Sequence, residues 1–137
     1  MTKAVRVHQV GGPEVMIYED VEVPAPGQGE VRIRQHAIGL NFIDTYYRSG
    51  LYKAPGLPFI VGNEGAGEIV SVGPGVTNFH PGDRVAYYTN LGAYATERNI
   101  VADRLVKLPD YISYEQAAVL MLKGLTAQYL LKKCIPV

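Results

Sequence analysis

The stretch Glu30-Val31-Arg32-Ile33-Arg34-Gln35-His36-Ala37-Ile38 alternates apolar and polar side chains more clearly than any other part of the chain. Successive side chains of a β-strand point to opposite faces of the sheet. An apolar face therefore carries Val31, Ile33 and Ala37, and the opposite face carries charged and polar residues. This pattern predicts a strand over 30–38, in a sheet with one face in water.

Turn-forming residues flank this strand on both sides and divide the chain into short segments. The chain of 137 residues contains 15 glycines and nine prolines, most of them before residue 110. Many short strands joined by defined turns explain that composition best. Besides 30–38, the extended segments are predicted at 3–10, 15–23, 65–72, 83–89, 93–99 and 101–107.

One short helix is predicted between the strands. Asn41 suits the residue that precedes a helix, and Asp44 three residues later gives a variant of the capping box. Gly50 suits the end of this helix, because glycine adopts the left-handed conformation common there.

A second helix is predicted after Pro109-Asp110. Ser113 and Gln116 form another capping pattern, and the apolar run Ala117 to Leu122 continues the helix. Gly124 is expected to interrupt it, with another turn or two over 125–133. The sequence therefore predicts a mainly β body at 1–112, followed by a helical arm at 113–137.

Composition and charge exclude several classes of protein. Thirteen basic residues balance thirteen acidic ones, so the broad positive surface of a nucleic-acid-binding protein is not expected. No apolar run is long enough to cross a bilayer, and no signal peptide is indicated at the N-terminus. Cys134 is the single cysteine, so no disulfide forms within the chain. We expect a cytoplasmic protein with no membrane or nucleic-acid partner.

Four stretches together resemble the quinone oxidoreductase branch of the medium-chain dehydrogenase/reductase superfamily. Their order and spacing match that branch over residues 1 to about 131. The four stretches are Gly11-Gly12-Pro13-Glu14-Val15, Gly39-Leu40-Asn41-Phe42-Ile43-Asp44-Thr45-Tyr46, Gly62-Asn63-Glu64-Gly65-Ala66-Gly67 and Lys123-Gly124-Leu125-Thr126-Ala127.

This resemblance implies a particular architecture. In the family, this region is the GroES-like substrate domain, a partly open β-barrel, and the helical arm leads into a Rossmann domain that holds NADPH. No glycine-rich phosphate turn of the G-x-G-x-x-G type occurs in this sequence. We therefore expect that the Rossmann half is missing from this chain. Family members tend to be homo-oligomers.

The resemblance also implies a site without zinc. Zinc-dependent members of the superfamily carry cysteine at the position of Asn41 and histidine at the position of Asn63. An asparagine amide is a poor zinc ligand, because its oxygen carries no charge. We expect no metal.

Without a metal, hydrogen-bond donors must polarise the carbonyl oxygen of a quinone while it accepts hydride. A tyrosine hydroxyl is such a donor at neutral pH, and its ring provides a flat apolar wall. By resemblance, Tyr46 and Tyr52 correspond to the substrate-pocket tyrosines of the family, and they are the catalytic candidates. From spacing alone, the alternative is that both rings serve only in packing.

The remaining candidates concern NADPH. By resemblance, the loop at Asn41 borders the nicotinamide ribose and a face of the arm lies beside the nicotinamide. The cofactor candidates are Asn41, Phe42, Ile43, Tyr46, Thr126 and Tyr129.

Three functions remain open on this reading. The first is NADPH-dependent reduction of a small-molecule quinone, for which this chain supplies the substrate side. The second is reduction of an enone or alkenal by a zinc-free relative of the same superfamily. The third is a non-catalytic remnant or interaction module, which the missing Rossmann half favours.

Overall fold

The computed structural model describes residues 1–88 and 91–135. Strands dominate the described part of the chain, as predicted. The strands are β1 (Thr2–Val7), β2 (Met16–Val21), β3 (Glu30–Gly39), β4 (Phe59–Ile60), β5 (Glu64–Val72), β6 (Arg84–Tyr88), β7 (Glu97–Val101) and β8 (Val106–Lys107). The helices are α1 (Phe42–Ser49) and α2 (Tyr114–Tyr129), and a π-helical turn at Leu130–Cys134 continues α2.

The strands form two open antiparallel sheets. One sheet has the order β2-β1-β4, and the other has the order β7-β3-β5-β6-β8. A bridge between Ala4 and Ala95 connects the first sheet to the loop before β7. This arrangement confirms the mainly β, partly open architecture predicted from the sequence.

The alternating pattern of β3 predicts the buried face correctly for Val31 and Ile33 but not for Ala37, which packs instead with the cluster under α2 after a register shift. Val31 and Ile33 are completely buried, and they pack with Ile69, Val85 and Tyr87 from the neighbouring strands and with other apolar side chains. Two register irregularities interrupt the pairing of β3 with β5, one between Arg32 and Ile33 and one between Gln35 and Ala37.

Both predicted helix starts are confirmed. Asn41 precedes α1 and forms a capping box with Asp44, and Gly50 ends the helix with a φ of 84°. Ser113 precedes α2, where its hydroxyl oxygen accepts a hydrogen bond from the backbone N–H of Gln116 at 3.2 Å.

Two sequence predictions are wrong near the C-terminal half. Gly124 does not interrupt α2, which is continuous from Tyr114 to Tyr129. One glycine costs a helix interior only about 1 kcal/mol, so the strong cap at Ser113 and packing override it. The segments predicted at 93–99 and 101–107 are also misplaced: the strand lies at Glu97–Val101, a 3₁₀ turn follows at Ala102–Arg104, and β8 spans only Val106–Lys107.

Helix α2 packs on the larger sheet through small side chains. Ala117 and Ala118 are buried against Ala66 of β5 and Ala86 of β6. Alanine allows the helix axis to approach the sheet closely, which brings the second half of α2 towards the start of α1. In the described part of the chain, no helix has both the length and the apolarity needed to cross a membrane.

Candidate active site

A polar cluster forms where α1, α2 and β5 meet, with the buried Asn41 at its centre and the exposed Lys123 at its edge. The Nδ2 of Asn41 donates to Oε2 of Glu64 at 2.6 Å, and its Oδ1 accepts from Nζ of Lys123 at 2.9 Å. A carboxylate can only accept hydrogen bonds and an ammonium can only donate them. The two contacts therefore fix the orientation of the Asn41 amide.

Glu64 joins the cluster to the long helix. Its side chain is completely buried, and its second oxygen, Oε1, accepts the backbone N–H of Leu122 at 2.8 Å. A buried carboxylate is tolerated when hydrogen-bond donors face both of its oxygens. Glu64 thus ties β5 to α2 and to the start of α1 at the same time.

Asp44 is a second buried carboxylate in the same region. Its Oδ2 accepts from the backbone N–H of Asn41 at 3.0 Å and from the hydroxyl of Tyr94 at 2.9 Å. Burial raises the pKa of Asp44, and the nearby charge of Glu64 adds to this, while the two hydrogen bonds and the charge of Lys123 oppose it. The pKa of Tyr94 is also raised, by burial and by its bond to Asp44. We call Asn41, Asp44, Glu64, Tyr94 and Lys123 the Asn41 cluster.

The last residue of β3 allows the cluster to form. A Cβ at Gly39 would overlap the backbone carbonyl oxygen of Ala118 in α2 and would lie 2.7 Å from Oε2 of Glu64. Glycine at this position therefore permits the close approach of α2 to the sheet.

Tyr46 and Tyr52, the two catalytic candidates, lie side by side. Their ring centroids are 5.3 Å apart, and the backbone N–H of Tyr52 donates to the carbonyl of Tyr46 at 3.0 Å. The exposed fractions are 36% for Tyr46 and 47% for Tyr52. Neither hydroxyl forms a hydrogen bond with another residue in the ranges 1–88 and 91–135. Both phenols are consequently available to a ligand.

Tyr47 and Tyr88 connect the tyrosine pair to the Asn41 cluster. The Tyr47 ring meets Tyr52 edge-on at 5.8 Å. Tyr88 pairs directly with Glu64 across β5 and β6, and burial raises its pKa, with smaller contributions from Tyr47, Glu64 and Asp44. The sequence analysis did not include Tyr88 in the site. Pairing of the predicted strands 65–72 and 83–89 as a hairpin would have placed it near residue 64.

The predicted cofactor residues differ in their position relative to the Asn41 cluster. Phe42 follows Asn41 directly and is 83% exposed. Thr126 lies three residues after Lys123 and therefore on the same face of α2, with its hydroxyl donating to the carbonyl of Leu122 at 2.8 Å. The bond between Lys123 and Asn41 thus places the turn of α2 that carries Thr126 next to the start of α1. Ile43 is half-buried, and Tyr129 is exposed one turn beyond Thr126.

Lys123 is the second residue that sequence reasoning missed at this site. Its spacing from Thr126 was the available signal, because residues three apart share a helix face.

The position that corresponds to zinc in related enzymes is a poor fit for a divalent cation. Among the described residues, no three His, Cys, Asp or Glu side chains are grouped so that they could hold a metal ion. The Asn41 oxygen, moreover, already faces the positive charge of Lys123.

Comparisons with known proteins agree with this arrangement. Residues 27–131 match the alcohol dehydrogenase GroES-like domain family. Quinone oxidoreductase of Pseudomonas aeruginosa is 58% identical over 134 residues, which cover 97% of this chain and 41% of that protein. The 2-haloacrylate reductase of a Burkholderia species is 45% identical, over 96% of this chain and 41% of that protein.

A solved structure gives the same result. The crystal structure of Escherichia coli quinone oxidoreductase complexed with NADPH superposes with a TM-score of 0.96 at 46% identity, covering 98% of this chain and 42% of that one. This chain therefore spans about two fifths of the length of its relatives. The matches confirm the resemblance drawn from the sequence: the chain belongs to the alcohol dehydrogenase GroES-like domain family of the medium-chain dehydrogenase/reductase superfamily.

Proposed function

We propose that this chain is the substrate side of a zinc-independent, NADPH-dependent quinone oxidoreductase. Residues 1–112 serve as the substrate domain, and residues 113–137 serve as the arm that leads towards a nucleotide-binding half. The observation that carries the proposal is the pair of partly exposed phenols, Tyr46 and Tyr52, whose hydroxyls bond to no other described residue.

The two tyrosines have the chemistry that the reaction needs. A quinone is flat and largely apolar, with carbonyl oxygens at its edge. The rings of Tyr46 and Tyr52 contact the flat surface, and their hydroxyls donate to a carbonyl oxygen as negative charge develops there. NADPH, when bound, supplies the hydride.

The surface around Asn41 suits the nicotinamide end of the cofactor. Phe42 and Ile43 provide apolar contact, and Asn41, Tyr46, Thr126 and Tyr129 provide polar groups around it. The phosphates need a glycine-rich turn, and the sequence has none of the G-x-G-x-x-G type. The nucleotide half must therefore come from outside these 137 residues.

Zinc independence is supported by the contacts of Asn41. Its oxygen accepts from Lys123, so the position that would hold a metal is already next to a positive charge. Asp44 and Glu64 serve the backbone and side-chain donors around them instead.

We place the reaction in the cytoplasm. The single cysteine, Cys134, is exposed and has no second cysteine with which to pair. A chain without disulfides fits a reducing compartment.

A second candidate function is reduction of an activated alkene. The observation in its favour is the 45% identity to 2-haloacrylate reductase. The same donors would polarise a carbonyl or carboxyl group conjugated to the double bond.

NADPH oxidation distinguishes these functions. We would join this chain to the nucleotide-binding half of the Pseudomonas aeruginosa relative and compare tetramethyl-1,4-benzoquinone with 2-chloroacrylate as acceptors. Faster turnover of the quinone supports the proposal, and faster turnover of 2-chloroacrylate replaces it with the alkene reductase. Turnover of neither acceptor would favour a non-catalytic module. The chain alone serves as the control and should be inert.

A further inference from the structure

Lys123 carries a full positive charge at the site, which the two tyrosines lack. We propose that Lys123 is a catalytic residue that donates a hydrogen bond to the acceptor oxygen as this oxygen becomes negative. The inference rests on the proposed function and deepens it.

One hydrogen bond holds the ammonium, and its acceptor is itself held in place. Its Nζ lies 2.9 Å from Oδ1 of Asn41, and the opposite end of that amide is bound to the buried carboxylate of Glu64 at 2.6 Å. An ammonium has three N–H donors. Asn41 accepts one of them, and no other described residue accepts a hydrogen bond from Nζ, so two donors remain for a ligand.

Exposed aromatic rings border the same surface. Phe42 follows Asn41 directly, and Tyr46 lies four residues after Phe42, so their side chains share one face of α1. Both rings are accessible, with Phe42 83% and Tyr46 36% exposed. A flat apolar ring with an oxygen at its edge matches a surface that combines aromatic rings with a charged donor, and a quinone is such a molecule.

The charge of Lys123 matters most during hydride transfer. The hydride brings two electrons and one proton to the quinone, which becomes a hydroquinone monoanion. A hydrogen bond from a charged donor is roughly twice as strong as one between neutral groups. Lys123 therefore stabilises this product-like state more than the neutral quinone. The second proton comes from water, and Lys123 keeps its own protons.

The test compares Lys123→Met and Lys123→Arg with a matched lysine on the same arm. Lys132 is exposed and has no ion pair in the described part of the chain, so Lys132→Met is the control. In the joined protein described above, Lys123→Met should lower kcat/KM for tetramethyl-1,4-benzoquinone by roughly 100-fold, the usual cost of one such donor. Lys123→Arg should retain part of the activity, and Lys132→Met should retain all of it.

A binding measurement separates a catalytic role from a structural one. The anion of 2-hydroxy-1,4-naphthoquinone carries a negative oxygen without undergoing turnover. Calorimetry on the joined protein should show about tenfold weaker binding of this anion by Lys123→Met, as expected for a lost charge-assisted hydrogen bond. Lys132→Met should bind the anion as tightly as the unmodified joined protein does.

Failure of the role of Lys123 can be distinguished from failure of the proposed function. If the unmodified joined protein reduces no quinone, the proposed function fails, and the inference fails with it. If it reduces quinone and Lys123→Met has an unchanged kcat/KM or binds the anion equally well, only the role of Lys123 is overturned.

Discussion

Nζ of Lys123, in the middle of helix α2, lies 2.9 Å from Oδ1 of Asn41, the residue that precedes helix α1. These two residues are 82 positions apart in sequence. The contact joins the helical arm to the β body at the start of helix α1, which carries Tyr46. The arm is thus part of the candidate site.

The buried carboxylate of Glu64 should be essential to this junction. Glu64→Gln replaces one acceptor oxygen by an NH₂ group, which would face either Leu122 N–H or the Asn41 amide. We expect the free energy of unfolding to fall by about 1–3 kcal/mol, the cost of leaving a buried polar group without a partner. Urea denaturation measures it, with Glu68→Gln on the same strand as the control. An equal loss in both variants would contradict the central role of Glu64.

Much of the β architecture was predictable because it depends on local signals. The alternation over 30–38 identified β3, and the capping residues Asn41 and Ser113 identified both helix starts. The strands after residue 90 were misplaced, since β7 is defined by its pairing with β3 and not by a pattern of its own.

The site was only partly predictable. Tyr46 and Tyr52 are close in sequence and separated by one glycine cap, so their proximity followed from the predicted helix. The Asn41 cluster was not predictable from the residues, because its contacts join positions 41, 64, 94 and 123 across three elements. Such long-range contacts leave no periodic signal in a single sequence.

Gly39 should tolerate no larger side chain. Gly39→Ala places a methyl group against the backbone of Ala118 and the carboxylate of Glu64, so α2 must move away from the sheet. We expect a loss of about 1–3 kcal/mol in the free energy of unfolding, typical of overpacking. Gly56→Ala is the control, because a Cβ at Gly56 would meet no atom within 4 Å. Equal stability of the two variants in thermal unfolding would refute the close-approach argument.

Asp44 and Asp83 should respond to pH in opposite directions. Burial raises the pKa of Asp44 above 3.8, so its folded state holds the proton more tightly, and its contribution to stability falls as pH rises from 3.8 through the raised pKa. Lys107 lowers the pKa of Asp83 below 3.8, so its contribution is present above 3.8 and falls as pH decreases through the lowered pKa.

Asparagine substitutions separate these two effects. As the pH rises above about 4, the reference pKa of aspartate, the unmodified chain should lose stability relative to Asp44→Asn. By contrast, the unmodified chain should gain stability relative to Asp83→Asn as the pH rises through the lowered pKa of Asp83 towards 3.8. Denaturation at several pH values measures both, and parallel trends would show that one assignment is wrong.

Zinc should not stabilise this chain. The ammonium of Lys123 already binds the Asn41 oxygen, so Zn²⁺ would have to displace this positive charge. The amide oxygen that it would gain is a weak zinc ligand. We expect the Tm to change by less than about 1 °C with excess Zn²⁺, since no ligand-linked stabilisation is available. The double variant Asn41→Cys, Asn63→His supplies a thiolate and an imidazole and should respond more strongly. A rise in the Tm of the unmodified chain that a chelator reverses would contradict this.

The tyrosine pair should contribute through its hydroxyls and its rings separately. In the joined protein, Tyr46→Phe and Tyr52→Phe each remove one donor and keep the wall formed by rings 5.3 Å apart. Each should lower kcat/KM for tetramethyl-1,4-benzoquinone by about three- to tenfold, the value of one neutral hydrogen bond. Tyr52→Ala should cost more than Tyr52→Phe, because it also removes the aromatic contacts with Tyr46 and Tyr47. Tyr111→Phe, at a residue 82% exposed, is the control and should have no effect. If both phenylalanine variants keep full activity while Tyr52→Ala loses it, the rings act only as a wall, and the donor that polarises the quinone must be sought among the charged groups of the Asn41 cluster.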